Sequence, residues 1–198
     1  MIDYNCPFYN HLKTFGQFTD PEIEGILPLF MQKKLRKHQY LLQEGEICNR
    51  DFFVLRGMLR KYSIANDKEW ISQFASEGEW INDHDSQLNQ TPSTYFIDAL
   101  EESEVLSIDA SAVSSLISSH PKFEQYYRSE IRKALIAQEK RAQCMQRQAA
   151  DCYGEFLSNF GSLQQRVSQA HIASFMGITR ESLSRLKNQD LKRKRKRV

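Results

Sequence analysis

HIASFMGITRESLSRL, residues 171–186, holds two short helical patterns hinged at one glycine. Ser168 can cap a first helix over 169–176 and Thr179 a second from 180 to about 187. In each case a side-chain oxygen accepts from a backbone N–H that the first turn leaves unpaired. Gly177 between them permits the left-handed backbone of a tight turn. Ile172, Ala173 and Met176 face inward from the first helix, Leu183 and Leu186 from the second, and Ile178 plugs the turn. A small residue, a glycine four positions on and an apolar residue six further is the spacing of a helix-turn-helix. The same apolar residues would also close a plain helical hairpin, so the outward face decides.

That face carries Arg180 and Glu181 in the first turn of the second helix and Arg185 about one turn later. An arginine can bind guanine O6 and N7 through two hydrogen bonds, and a glutamate can accept from cytosine N4. Thr179, Ser182 and Ser184 suit phosphate oxygens or short base contacts. Arg166, Lys187 and the basic end LKRKRKRV would add contacts to the backbone of double-stranded DNA that are independent of base sequence.

Charge follows the same division. Residues 1–150 carry 17 Lys and Arg against 21 Asp and Glu, and residues 151–198 carry 10 against 4. A net of −4 thus precedes a net of +6, as a phosphate-binding part attached to a non-binding part would show. Of the 198 residues 40% are apolar, enough for a packed core, and no apolar run approaches a membrane span. The N-terminus lacks the basic start and apolar stretch of a secretory signal, so a soluble, cytoplasmic protein is expected. Cys6, Cys48, Cys144 and Cys152 are then expected as reduced thiols, since their spacings fit neither a disulfide framework nor a metal knuckle. No nucleophile motif accompanies His11, His38, His84, His120 or His171, and no phosphate loop occurs, so no enzymatic activity is expected.

Upstream, the chain changes period. TDPE predicts a helix start with Asp20 as cap and Pro21 in the first turn. From about Lys34 to Asp109, short apolar segments alternate with turns at Gly45, Gly57, Asn66-Asp67 and Gly78, predicting an antiparallel β-roll. The phrase EGE, at 44–46 and 77–79, reads as a shared turn. Beyond Pro121, Phe123, Tyr127, Ile131, Leu135, Ala142 and Met145 recur at helical steps and form an apolar seam. A parallel copy in a homodimer can cover that seam, and so can the chain's own roll. The fold class is α+β. A β-roll domain occupies 1–120, a dimerisation helix 121–149, and a helix-turn-helix domain with its basic tail 150–198.

This order of parts, with LLQEGEICNRDFFVLRGMLRKY in the roll and HIASFMGITRESLSRL near the end, resembles the Crp/Fnr transcription regulators. They join a cyclic-nucleotide-binding-like jelly roll to a long dimer helix and a C-terminal helix-turn-helix. Their recognition helix often begins Arg-Glu with a second arginine four residues after the glutamate, the pattern of Arg180, Glu181 and Arg185. The resemblance implies a homodimer on a two-fold symmetric site with half-sites about 34 Å apart, and contact with RNA polymerase. An alternative keeps the fold as a ligand-responsive binding protein whose helix-turn-helix does not read DNA. Many members end in a β-hairpin wing, whereas KNQDLKRKRKRV predicts a flexible basic arm.

Members that bind cyclic AMP use a Gly-Glu pair for the ribose and an arginine for the phosphate. The matching positions here hold Asn82 and Asp83, and Ser93. No Lys or Arg occurs from 69 to 121, while eight acidic residues fall between Glu77 and Glu104. A phosphodiester among those carboxylates would suffer desolvation and repulsion unless Arg56, Arg60 or Lys61 folds across. No cofactor is expected, cyclic AMP included. What remains is a pocket at Asn82, Asp83 and Ser93 with Trp80 and Tyr95, and with Trp70, Phe74 and Phe96 as further aromatic lining. It is open to a small neutral or cationic ligand, a protein partner, or nothing.

Overall fold

The computed structural model describes residues 6–147, 149–160 and 165–195. Two compact units divide the chain, Met1–Ser63 with Gln73–Lys133, and Ile64–Ser72 with Ala134–Val198.

In the first unit two helices lead, α1 (Pro7–Gly16) and α2 (Asp20–Ile26). The α2 cap is Thr19, one residue before the expected Asp20, because the Glu22 carboxylate folds back to accept from the Thr19 N–H at 2.7 Å and its hydroxyl at 2.8 Å. The Thr19 backbone bond, with Lys122 and the Thr19 hydroxyl, holds the Glu22 carboxyl down at about 2. The sequence reading passed over α1, although Phe8 and Leu12 stand one turn apart and are both fully buried.

Among the described residues eight strands follow along the chain: β1 (Met31–Leu35), β2 (Tyr40–Leu42), β3 (Arg50–Arg56), β4 (Leu59–Ala65), β5 (Lys68–Ala75), β6 (Trp80–Ile81), β7 (Phe96–Ala99) and β8 (Ser103–Asp109). They form two four-stranded sheets, ordered β1-β8-β3-β6 and β2-β7-β4-β5. The neighbouring strands β1 and β8, β3 and β8, β3 and β6, β2 and β7, and β4 and β7 run antiparallel.

Side chains alternate across a strand, and the first sheet is apolar on both faces. Phe52, Val54, Val105 and Ile81 enter the roll interior. Phe53, Leu55, Leu106 and Ile108 pack outward on the helices. Both EGE turns are built alike: Gly45 and Gly78 have φ 90 and 85. The following glutamate accepts from the N–H three residues back, Glu46 from Gln43 and Glu79 from Ser76.

After β6 comes a short helix α3 (His84–Asn89), and after β8 come α4 (Ala110–Ser119) and α5 (Pro121–Gln146). The seam read along α5 is divided. Phe123 and Tyr127 are buried in the chain's own core, with Tyr126 beside them, and so do not belong to an open dimer face. They point at β3 and β8, whose outward residues need covering. Ile131, Leu135, Ala142 and Met145, further along, are exposed.

The second unit contains the end of α5, α6 (Ala149–Phe160), α7 (Gln169–Met176), α8 (Arg180–Arg195) and the 64–72 hairpin tip. Two expectations are corrected here. The stretch after Lys187 is helical as far as Arg195, not a flexible arm, since its Lys, Arg, Gln and Leu are good helix formers with no Gly or Pro among them. Cys144 and Cys152 are joined in a disulfide, their Cα atoms 5.3 Å apart, while Cys6 and Cys48 are free. On one unbroken helix eight residues would span about 12 Å; the break after Gln146 brings the pair together. Among the described residues no helix is long and apolar enough to cross a membrane.

Candidate nucleic-acid interface and effector pocket

Around 171–186 local chemistry sets the geometry. The Ser168 hydroxyl accepts from the His171 N–H at 3.1 Å and caps α7. Gly177 sits at φ 70, and the Ile178 N–H returns to the Ala173 carbonyl at 3.0 Å. Thr179 Oγ1 accepts from the Ser182 N–H at 3.2 Å and caps α8. Ile172, Ala173, Met176 and Leu183 are buried. Cys152, Tyr153 and Phe156 of α6 and Val167 are buried with them in this unit, and the α6 ring of Phe156 lies 6.1 Å from Phe175 of α7. Leu186 is half-buried.

Thr179, Arg180, Glu181, Ser184 and Arg185 are exposed, Ser182 and Lys187 half-exposed. The outward half of α8 is therefore polar and open along its first two turns. The Glu181 carboxyl is held below the usual carboxylate range by its own backbone N–H and by the Thr179 hydroxyl, with Arg180 and Arg185 adding to the effect. It is thus an acceptor at neutral pH, as reading a cytosine amine requires. Arg166 lies half-buried in the turn before α7.

In the roll, Asn82, Asp83 and Ser93 come together and are all buried. Ser93 Oγ donates to Asp83 Oδ2 at 2.6 Å and accepts from the Tyr95 N–H at 3.0 Å. Asn82 Nδ2 donates to Asp51, which also accepts from Gln87 Nε2 at 2.6 Å and from the Tyr127 hydroxyl at 2.5 Å. One of the three cations considered does fold across: Lys61 Nζ donates to the Asn82 carbonyl at 3.1 Å and lies 5.1 Å from the centre of the Tyr95 ring. Burial lowers its pKa, against the pull of Asp83 and Cys48. Arg60 is committed elsewhere, in a buried two-pronged pair with Asp98 at 2.7 and 3.1 Å. Arg56 is exposed.

Two aromatic residues leave the pocket. Trp80 lies on the outer face of its sheet, packed on Phe8 and Phe53, with its indole N–H on the Tyr126 hydroxyl at 2.9 Å. Its neighbour Ile81 takes the inward position, as strand alternation demands. Trp70 is at the exposed hairpin tip of the second unit. Asp51, Gln87 and Tyr127 were not anticipated as the group that the Asn82 side chain joins, separately from the Asp83–Ser93 pair. Asp51 opens the apolar run DFFVL and Tyr127 lies on a helix 76 residues away, so no local pattern could join them.

Residues 32–120 match the family model described as cyclic nucleotide-binding domain. Solved structures extend the likeness to the rest of the chain. FixK2 from Bradyrhizobium japonicum superposes with a TM-score of 0.70 at 17% identity, over 81% of this chain and 83% of that one. The chain has the Crp/Fnr fold. CLP of Xanthomonas campestris, described as a c-di-GMP responsive global regulator, gives 0.68 at 14% identity over 86% and 91%. A protein described as a transcriptional regulator of the Crp/Fnr family, from Eubacterium rectale, gives 0.66 at 15% over 89% and 85%. No curated protein matches the chain in sequence.

Within its Crp/Fnr fold the chain has a further contact that sequence reasoning missed. The hairpin tip of the second unit sits on α7. Ser174 Oγ accepts from the Ile71 N–H at 3.0 Å and donates to the Glu69 carbonyl at 2.5 Å. Arg141 of α5 joins them, donating to the carbonyls of Ile71 at 2.8 Å and Phe175 at 3.1 Å. Because these are mostly backbone groups, their side chains left no signal in the sequence.

Proposed function

We propose that the chain is a DNA-binding transcription regulator, a homodimer that reads a two-fold symmetric site through α8. The observation that carries this is the open face of Arg180, Glu181 and Arg185, presented by a capped helix-turn-helix whose Ile172, Ala173, Met176 and Leu183 are buried on the other side. The Crp/Fnr fold supports it, since FixK2, CLP and the E. rectale protein superpose over most of their lengths and the last two are described as regulators. Ile131, Leu135 and Ala142 supply an exposed stripe for the second subunit, with Met145, which also meets the Gly177 turn, at its end. RNA polymerase is the further partner that the family resemblance implies.

The effector of the roll is not a cyclic nucleotide on this reading. Lys61, the one ammonium among the described residues that reaches this side of the roll, already faces Asp83, so no uncommitted cation is left there to meet a phosphate. The pocket's polar groups are also bonded to one another, and a ligand would have to replace those bonds at equal strength. A neutral or cationic ligand escapes the first obstacle and has only the second to overcome.

Selection from a pool of random duplexes tests the reading. A two-fold symmetric sequence should be enriched, and it should bind at least ~10³-fold more tightly than random DNA at physiological salt. A pool from which nothing symmetric emerges, or equal affinities, would overturn it. Calorimetry with cyclic AMP and cyclic GMP should give no binding heat.

A further inference from the structure

We propose that Cys144 and Cys152 form a redox modification site, closed by a hydroperoxide and opened by a dithiol reductant, which decides whether α5 breaks or runs on into α6. Its effect on DNA affinity rests on the DNA-reading function proposed above; the chemistry and the helix break do not.

Three observations meet at this pair. The residues between the two helices offer no reason for a break. The stretch MQRQAAD, 145–151, has no proline, no glycine and, before α6, no Ser, Thr, Asp or Asn to cap it. Left to propensity, α5 would continue through these good helix formers. The crosslink, however, requires Cα atoms within roughly 4.4–6.8 Å, and here they are 5.3 Å apart. A continuous helix would hold them about 12 Å apart. Disulfide and unbroken helix are therefore mutually exclusive, which makes the junction a two-state element whose balance the thiols control.

The place of the pair gives the switch its consequence. Cys152 is buried beside Tyr153 and Phe156, on the helix that packs on both α7 and α8. A change of direction between α5 and α6 would move the reading helix relative to the end of α5. Met145, next to Cys144, already lies against the Gly177 turn. Cys144 is half-exposed, with Lys140, Arg141 and Arg147 within four positions, the electropositive and reachable setting in which thiols react. Cys48, by contrast, is buried, and desolvation pushes its thiol pKa up.

The chemistry balances without a metal. The Cys144 thiolate attacks one oxygen of hydrogen peroxide, the O–O bond breaks, and a sulfenic acid forms as the first water leaves. The Cys152 thiolate then attacks that sulfur, the S–S bond forms and the second water leaves. Two thiols have lost two electrons and two protons to the peroxide. A dithiol reverses the step through a mixed disulfide.

The full-length protein, reduced with dithiothreitol or oxidised with hydrogen peroxide, tests this by three measurements: mass spectrometry after alkylation, circular dichroism at 222 nm, and affinity for the selected duplex. We expect a Cys144–Cys152 linkage only after peroxide and more helix in the reduced form. We also expect a DNA affinity that differs at least tenfold between the states. Cys6→Ser should keep all three responses, and Cys144→Ser and Cys152→Ala should lose them. Failure to form the linkage, or equal helicity in both states, overturns the switch, and equal DNA affinity overturns its regulatory role. Absence of specific binding in both states would instead sink the DNA-reading function, and thiol state and helicity would still decide the site.

Discussion

Ser93 and Asp83 share a hydrogen bond of 2.6 Å, and both side chains are buried. Here the two side chains answer each other. Ser93→Ala would leave a buried carboxylate without this donor and the Tyr95 N–H without its acceptor. We expect a loss of about 1.5–3 kcal/mol, read as a lower urea midpoint at unchanged slope.

The roll unit should lose stability as pH falls below neutrality. Burial is the main cause that lowers the pKa of both His11 and His84 below 6.5; Glu130 opposes it at His11, and Asp51 and Asp83 at His84. Lys61 faces His84 as well and lowers it further. The unfolded chain then binds these protons first, so stability falls as pH drops through 6.5 and levels off below the folded values. His11→Gln with His84→Gln should flatten the melting temperature between pH 7 and 5. Glu22, held at about 2, acts in a separate window from 4.5 downward, which the double variant should leave in place.

Ser174 fastens the 64–72 tip to α7 through two bonds. Ser174→Ala should raise hydrogen exchange at the Ile71 amide roughly five- to tenfold, equivalent to about 1 kcal/mol, with little change in global unfolding. An unchanged Ile71 amide would mean that Arg141 and Gln138 hold the tip without Ser174.

On α5, Leu135 is 57% exposed and Ile131 41%. Leu135→Glu would place a charge in the proposed subunit seam at a position that is mostly exposed. Sedimentation should show a shift from dimer to monomer at unchanged helicity, and affinity for the symmetric duplex should fall with it.

Arg180→Ala and Arg185→Ala should each cost ~1–3 kcal/mol and relax preference at one base step. Removing the basic residues 192–197 should weaken all sequences alike and flatten the salt dependence. Arginine variants that acted as uniformly as the truncation would remove direct base readout from the mechanism.

The sequence by itself determined what short-range chemistry controls. Ser168, Gly177 and Thr179 act within four residues of themselves, so their caps and turn fall where the letters place them. Gly45 and Gly78 do the same for the two EGE turns. The short apolar runs in DFFVL and EVLSID, bounded by turns, likewise announced strands, because a sheet covered on both faces needs apolar side chains in succession.

Only the tertiary structure decided the rest. The α5 seam reads as one stripe, yet Phe123 and Tyr127 turn to the roll's outer face while Leu135 stays open, since which neighbour covers a helix is not written in its period. Lys61 enters the Asp83 pocket and Arg60 pairs with Asp98, although the two are adjacent, because strand neighbours point to opposite faces. Cys144 and Cys152, far apart along any helix, are joined by a break that no residue between them announces. In each case the partner lies outside the range over which backbone chemistry can signal.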